Sequence, residues 1–181
     1  PVTGNITLYA KWGIPVNGTT FPDSNFRDLV SADFDKNSDG FLSAAEIGAV
    51  TDIRCRWRCI ASLKGIEYFT SLQTLDCYSN QLTSLDLSAN TALTTLNCGN
   101  NWLSFLNVSS NTALTNLDCY NNELTSLELS ANTALTTLYC NNNQLDSLDV
   151  SKNAALISLN CRGNQLTSLD LSQNTALEWL Y

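Results

Sequence analysis

Leu72, Leu75, Cys77, Leu82, Leu85 and Leu87 open a pattern that recurs every 21 residues to the end of the chain. The unit reads L-x-x-L-x-C-x-x-N-x-L-x-x-L-x-[LV]-S-x-N-x-x, and it divides into two similar halves, Leu72–Leu75–Cys77–Asn80 and Leu82–Leu85–Leu87–Asn90. In each half the L-x-C or L-x-L triplet alternates with period two, as a strand does when two side chains point inward and the one between points out. Self-similarity at a fixed period of this size marks a solenoid, in which no single unit can bury its own apolar face. Two triplets per turn predict two parallel strand stacks, one on each side of a narrow coil. The expected fold class is a mainly β solenoid with a small α-helical N-terminal cap.

Two asparagine columns keep the same step: Asn80, Asn101, Asn122, Asn143 and Asn164, then Asn90, Asn111, Asn132, Asn153 and Asn174. Both are expected to turn inward at the bends and to bond backbone groups that a buried turn would otherwise leave unpaired. A cysteine column runs through Cys77, Cys98, Cys119, Cys140 and Cys161, and Cys55 fits it 22 residues before Cys77. Stacked coils place equivalent atoms about 4.8 Å apart, but such side chains point the same way, which is poor disulfide geometry. They read as reduced thiols acting as small hydrophobes. Cys59 stands outside the column, and a Cys55–Cys59 link stays open.

The N-terminal third breaks the pattern. Residues 1–14 alternate like a strand, and the stretch NITLYAKW resembles the closing strand of the Listeria–Bacteroides repeat, which implies the tail of a preceding β-rich module. Residues 15–50 read as a helical cap. A turn-rich PVNGTTFP leads to a helix starting near Asp23 or Ser24, with Phe26, Leu29, Val30 and Phe34 on one face.

The stretch from Asp35 to Glu46, DKNSDGFLSAAE, then fits a twelve-residue EF-hand loop at every demanded position. Asp35, Asn37 and Asp39 would supply side-chain oxygens, Phe41 its carbonyl, Ser43 a direct or water-mediated oxygen, and Glu46 a bidentate carboxylate. Gly40 stands where the sharp turn needs no side chain. That donor set suits calcium, a hard cation taking six to eight oxygens, and calcium is the expected cofactor. A lone loop of this kind is expected to be structural rather than a switch. Ser43 and Glu46 also have capping-box spacing for a second helix. Residues 51–181 form the solenoid, beginning with an atypical coil in which Val50, Ile53 and Cys55 align with Leu72, Leu75 and Cys77. The chain stops at Tyr181, one residue before the next cysteine would fall, so the array reads as truncated.

Over residues 23–181 the sequence resembles the bacterial leucine-rich repeat surface proteins of the internalin J type, with their 21-residue units and cysteine ladder; LTSLDLSANTALTTLNC carries the likeness almost unaided. The resemblance implies a leucine-rich repeat fold and a secreted or cell-surface protein that binds other molecules. It does not imply calcium in the cap, which here rests on the loop residues alone.

Outward positions of the two expected stacks differ. In the second, Ser84, Ser126, Ser147 and Ser168 form a column broken by Phe105. Asp86, Asn107, Glu128, Asp149 and Asp170 form another, which reads as a solvated charge column. The first stack varies, displaying Arg54, Arg56, Tyr78, Asp118, Tyr120, Tyr139, Arg162, Trp179 and Tyr181. Aromatic residues and arginine dominate binding hot spots, so this face is the candidate ligand surface, for a protein partner first and a glycan or cell-wall ligand second. The same aromatics could equally do no more than cover their neighbours along the sheet, with Arg54 pairing Asp76, and a passive spacer presenting other modules of a longer protein is the third reading. With 17 acids against 9 bases the net charge is −8, which argues against a nucleic-acid partner. No apolar run is long enough for membrane insertion. The chain has no histidine, and its regular acids lie on an open face rather than in a cleft, so no enzyme is expected.

Overall fold

A computed structural model describes residues 13–181. Its main element is one seven-stranded parallel sheet, in chain order, of β3 (Asp52–Arg54), β4 (Thr74–Asp76), β5 (Thr95–Asn97), β6 (Asn116–Asp118), β7 (Thr137–Tyr139), β8 (Ser158–Asn160) and β9 (Trp179–Leu180). The register follows the repeat: Ile53, Leu75, Leu96, Leu117, Leu138, Leu159 and Leu180 pair in succession. The atypical first coil therefore aligns as its apolar residues indicate. Beneath the sheet Cys55, Cys77, Cys98, Cys119 and Cys140 are fully buried among the leucines. Burial pushes the Cys55 and Cys140 thiols up to about 12 and Cys77, Cys98 and Cys119 well above the usual range. All seven cysteines are free; Cys59 is exposed while Cys55 is buried, and the two are not linked.

The expectation of a second strand stack needs correcting. Segment 82–90 and its repeats stack coil on coil, yet among the described residues they form no strand ladder. The donors are diverted to side chains. Asp86, Asn107, Glu128, Asp149 and Asp170 each accept the N–H two residues on, that of Ser88, Ser109, Ser130, Ser151 or Ser172. A side chain that offers the backbone a local partner in this way competes with a ladder. One backbone bond per coil remains at the start of the segment, such as Trp102 N–H to the Leu82 carbonyl at 2.9 Å. The acid column is thus a set of turn closers. The backbone N–H of Ser88, Ser151 or Ser172 holds Asp86, Asp149 and Asp170 below the usual carboxylate range, and the Ser130 side chain does so for Glu128.

Both asparagine columns do face inward and bond backbone carbonyls, the first in its own and the preceding coil and the second in the preceding coil alone. Asn122 donates to the carbonyls of Cys98 and Cys119 and accepts the N–H of Leu103. Asn132 donates to Val108 and Asn111 carbonyls, while its Oδ1, like those of Asn90, Asn111, Asn153 and Asn174, is buried without a partner.

Upstream, α1 (Ser24–Asp33) buries Phe26, Leu29 and Val30, the face its spacing predicts. Asp23 caps it by accepting the Phe26 N–H, and the other Asp23 oxygen accepts the N–H groups of Ala61 and Ser62 in the first coil. One carboxylate therefore both starts the helix and ties it to the solenoid. A second tie is Phe21, fully buried, with ring centroids of Phe26, Tyr68 and Phe69 at 5.9, 6.2 and 6.5 Å. The short α2 (Ala44–Gly48) carries the expected capping box between Ser43 and Glu46. Between the helices, β2 (Phe41–Leu42) pairs antiparallel with β1 (Ile14–Pro15). A boundary drawn between residues 14 and 15 would pass through that strand. Most of the expected strand over residues 1–14, NITLYAKW included, lies outside the described residues.

Candidate functional sites on the sheet face and in the interhelical loop

The middle residue of each strand points into the core, so its neighbours and the residue after each cysteine form the open face. Arg56, Tyr78, Gly99, Tyr120, Asn141 and Arg162 occupy one column of that face. The next position is left-handed in every coil, with φ from +52° at Trp57 to +69° at Gly163. This turn sends the chain away from the sheet.

The first two coils assemble a cluster. Arg56 Nε donates to Asp76 at 2.5 Å, and its guanidinium carbon lies 6.0 Å from the Trp57 ring and 5.9 Å from that of Tyr78. Trp57 meets Tyr78 edge-on at 5.4 Å. Tyr78 stacks with Tyr120 at 5.8 Å and 29°, and the Tyr120 hydroxyl donates to that of Tyr78 at 2.8 Å. Those tyrosines stand two coils apart, and they meet because the intervening position is Gly99. A Cβ there would lie 2.8 Å from the Tyr120 ring. Burial, then the Tyr78 hydroxyl, pushes Tyr120 up to about 12. Arg54 is not part of this cluster, nor does it pair Asp76; it binds Asp52 at 2.8 Å.

Asp118 accepts the Tyr120 N–H at 3.3 Å. Burial, and secondarily the Asp76 charge, pushes its carboxyl up to about 6, against the amide bond and the distant Arg56. Tyr139 pairs with it in the ladder and is 37% exposed. Arg162, Trp179 and Tyr181 are exposed at the far end of the sheet, apart from the cluster. The structure therefore gathers Arg56, Tyr78 and Tyr120 with Asp118 and Tyr139 beside them, and leaves the other four separate. Trp57 and Gly99 were not singled out by type, although Gly99 is the only glycine in its column before Gly163 shifts the position by one. Trp102 and Phe105, on the coil between those of Tyr78 and Tyr120, are also exposed.

In the interhelical loop the predicted calcium ligands are held on backbone amides. Asp35, nearly buried, accepts the N–H groups of Asp39 and Gly40 at 3.1 and 2.9 Å. Asn37 also accepts from Asp39, and Asp39 accepts from Phe41. Gly40 has φ +81°, the turn expected of it. Glu46 reaches back across the loop, accepting from Lys36 N–H at 2.8 Å and from the Ser43 N–H and hydroxyl at 2.8 and 2.7 Å. Those Ser43 bonds lower its pKa. The oxygens present are of the type calcium takes. Among the described residues, however, no three acidic or sulfur side chains already converge on one point. Metal binding would need Glu46 to exchange its amide bonds for the ion.

Comparison with known proteins bears on the repeat fold that carries the sheet face. Residues 70–111 and 112–153 match the family model described as Leucine Rich repeats (2 copies). Internalin J of Listeria monocytogenes serotype 4b is 41% identical over 71 residues, 39% of this chain and 8% of the relative. Among solved structures, the functional domain of internalin J from Listeria monocytogenes, which includes a cysteine ladder, is 34% identical. It matches with a TM-score of 0.65 over 96% of this chain and 48% of that one. An internalin, inlF, from Listeria monocytogenes superposes at a TM-score of 0.86 with 25% identity, over 96% of this chain and 53% of that one. A Leptospira interrogans leucine-rich repeat protein is 31% identical, at a TM-score of 0.62 over 66% of this chain and 33% of its own. The chain thus spans about half or less of each relative's length. No helix among the described residues is long and apolar enough to cross a membrane. With its register, inward cysteine column and asparagine bends, the chain is an internalin-like leucine-rich repeat solenoid.

Proposed function

We propose that this chain is a non-enzymatic binding module of a surface or secreted protein, and that its open sheet face engages a protein partner. The observation that carries this reading is the Arg56–Trp57–Tyr78–Tyr120 cluster. Its side chains are already locked by an ion pair, ring contacts and a hydroxyl bond, so little side-chain entropy is left to lose on docking. Large rigid aromatics and arginine are what interface hot spots use. The likeness to internalin J supports the setting. A test is to probe arrays of extracellular proteins and of glycans with the chain, alongside Tyr120→Ala and, as a control on the turn column, Asp149→Ala. A protein ligand lost with Tyr120→Ala and kept with Asp149→Ala is expected. Ligands that are glycans only, or that ignore Tyr120, would refute the proposal.

We also propose that the loop from Asp35 to Glu46 holds a structural calcium ion. Asp35, Asn37, Asp39, the Phe41 carbonyl, Ser43 and Glu46 would hold it. The ion would supply positive charge to a loop in which Asp35 accepts backbone N–H groups and Glu46 accepts backbone N–H groups and the Ser43 hydroxyl. The pairing of β2 with β1 would then be stiffened from one side. Calcium at about 100 times its Kd would add about 2.7 kcal/mol, so EDTA should lower the melting temperature by several degrees. Asp35→Asn should remove that response. A melting curve indifferent to chelation would count against the site.

A further inference from the structure

The sheet face contains its own example of how this chain holds a guanidinium. Asp76-Cys77-Tyr78 and Asp118-Cys119-Tyr120 are the same tripeptide two coils apart. At the first, Arg56 of the preceding coil binds Asp76 and lies 5.9 Å from the Tyr78 ring. At the second, the position equivalent to Arg56 is Gly99. Tyr120 leans across that glycine towards Tyr78. Asp118 keeps the Tyr120 N–H, and the ion pairs of the described residues, Arg54–Asp52 and Arg56–Asp76, leave it without a bonded cation. Its ladder neighbours are Asn97 and Tyr139.

We propose that Asp118 receives a basic side chain, an arginine foremost, from a protein partner, with Tyr120 and Tyr139 bordering the contact. The inference rests on the sheet face being the protein-binding surface and specifies the chemistry of what docks there. Arginine is favoured over lysine because its planar fork matches a carboxylate while its face lies on aromatic rings, as Arg56 already demonstrates one site earlier. A chain of net charge −8 draws a basic partner from a distance. Partial burial of Asp118 adds to this: the ionised carboxylate sits where water solvates it poorly and Arg56 offsets that only from a distance, so an incoming cation relieves an existing penalty. The charged and titratable groups around it are Asp76, Arg56 and Tyr120. Asp76 is already neutralised by Arg56, which leaves Asp118 as the open acceptor.

The test is a carbon-13 NMR titration of the side-chain carboxyls with Nα-acetyl-arginine amide, set against its neutral isostere Nα-acetyl-citrulline amide. The arginine derivative is expected to shift the Asp118 carboxyl resonance and to lower its titration midpoint. The citrulline derivative should act at least about tenfold more weakly. Asp118→Asn should abolish the response of the surrounding sheet amides, and Asp149→Asn should preserve it. No shift at Asp118, or an equal response to both probes, overturns the inference and leaves the protein-binding reading of the sheet face to the Tyr120→Ala experiment. Shifts confined to the turn column of Asp86, Asp149 and Asp170, with the sheet silent, would overturn both.

Discussion

Asn122→Ala is expected to destabilise the fold by about 3 kcal/mol, and Asn132→Ala by about 1 kcal/mol, in denaturant unfolding. The two residues occupy the two asparagine columns, are both buried, and are indistinguishable by pattern. What separates them is what each would orphan. Among the described residues Asn122 is the only acceptor for the Leu103 N–H, so its loss strands a buried donor, at about 1–3 kcal/mol. It also removes one of two amide bonds to each of the Cys98 and Cys119 carbonyls, which keep Asn101 and Asn143. Asn132 donates to the Val108 and Asn111 carbonyls, but these also accept the backbone N–H groups of Asn111 and Leu114. Its removal strands nothing and deletes a buried Oδ1 that has no partner. Equal losses at the two sites would mean that cavity formation, not hydrogen-bond satisfaction, sets the cost of these bends.

Gly65→Ala should cost a comparable amount, about 2–5 kcal/mol. Gly65 has φ +104°, where an added Cβ is strained by about 1–2 kcal/mol. That Cβ would also stand 2.2 Å from the Phe21 ring and 3.0 Å from the Thr20 carbonyl oxygen, and overpacking adds about 1–3 kcal/mol. Phe21 has nowhere to go, being fully buried against Phe26, Tyr68 and Phe69. The clash therefore acts on the joint between the N-terminal helices and the first coil. Phe21→Leu should be costly alone, yet the double variant should lose less than the sum of the two, since neighbouring changes couple. Strict additivity would refute the steric account and leave backbone strain at Gly65 as the whole effect.

How far the sequence reaches can be read from particular residues. Asp23 and Phe26 place the start of α1 as read, and Ser43 with Glu46 places α2. The single-residue irregularity between Cys55 and Cys77 did not mislead, because Ile53 and Leu75 carry the register. The second run of L-x-L triplets did mislead. Its alternation is real and its leucines are inside, but the acid two residues before each serine takes the amide that a ladder would need. Alternation reports which side chains are buried; it does not report where the backbone donors go. The second Asp23 oxygen, which reaches Ala61 and Ser62, has no signature in the sequence because its partners lie almost forty residues away.

The candidate face divides in the same way. Its aromatic and basic composition stands in the sequence as a departure from a monotonous repeat, and so do the twelve loop residues with their calcium-type oxygens. Which arginine meets which aspartate did not: Arg54 turns to Asp52 and Arg56 takes Asp76. Nor did the contact of Tyr120 with Tyr78 across Gly99.

Sequence alone determined the repeat length, the inward columns of leucine, cysteine and asparagine, and the register of the sheet. Each is a local choice copied coil after coil, and stacking identical units reproduces it. Tertiary structure decided the contacts that depend on departures from the repeat. A missing side chain at Gly99, a carboxylate with two oxygens to share and an arginine with two acids in reach are resolved only when the coils are in place. Those outcomes turn on side-chain reach and competing hydrogen bonds, which have no period to be read.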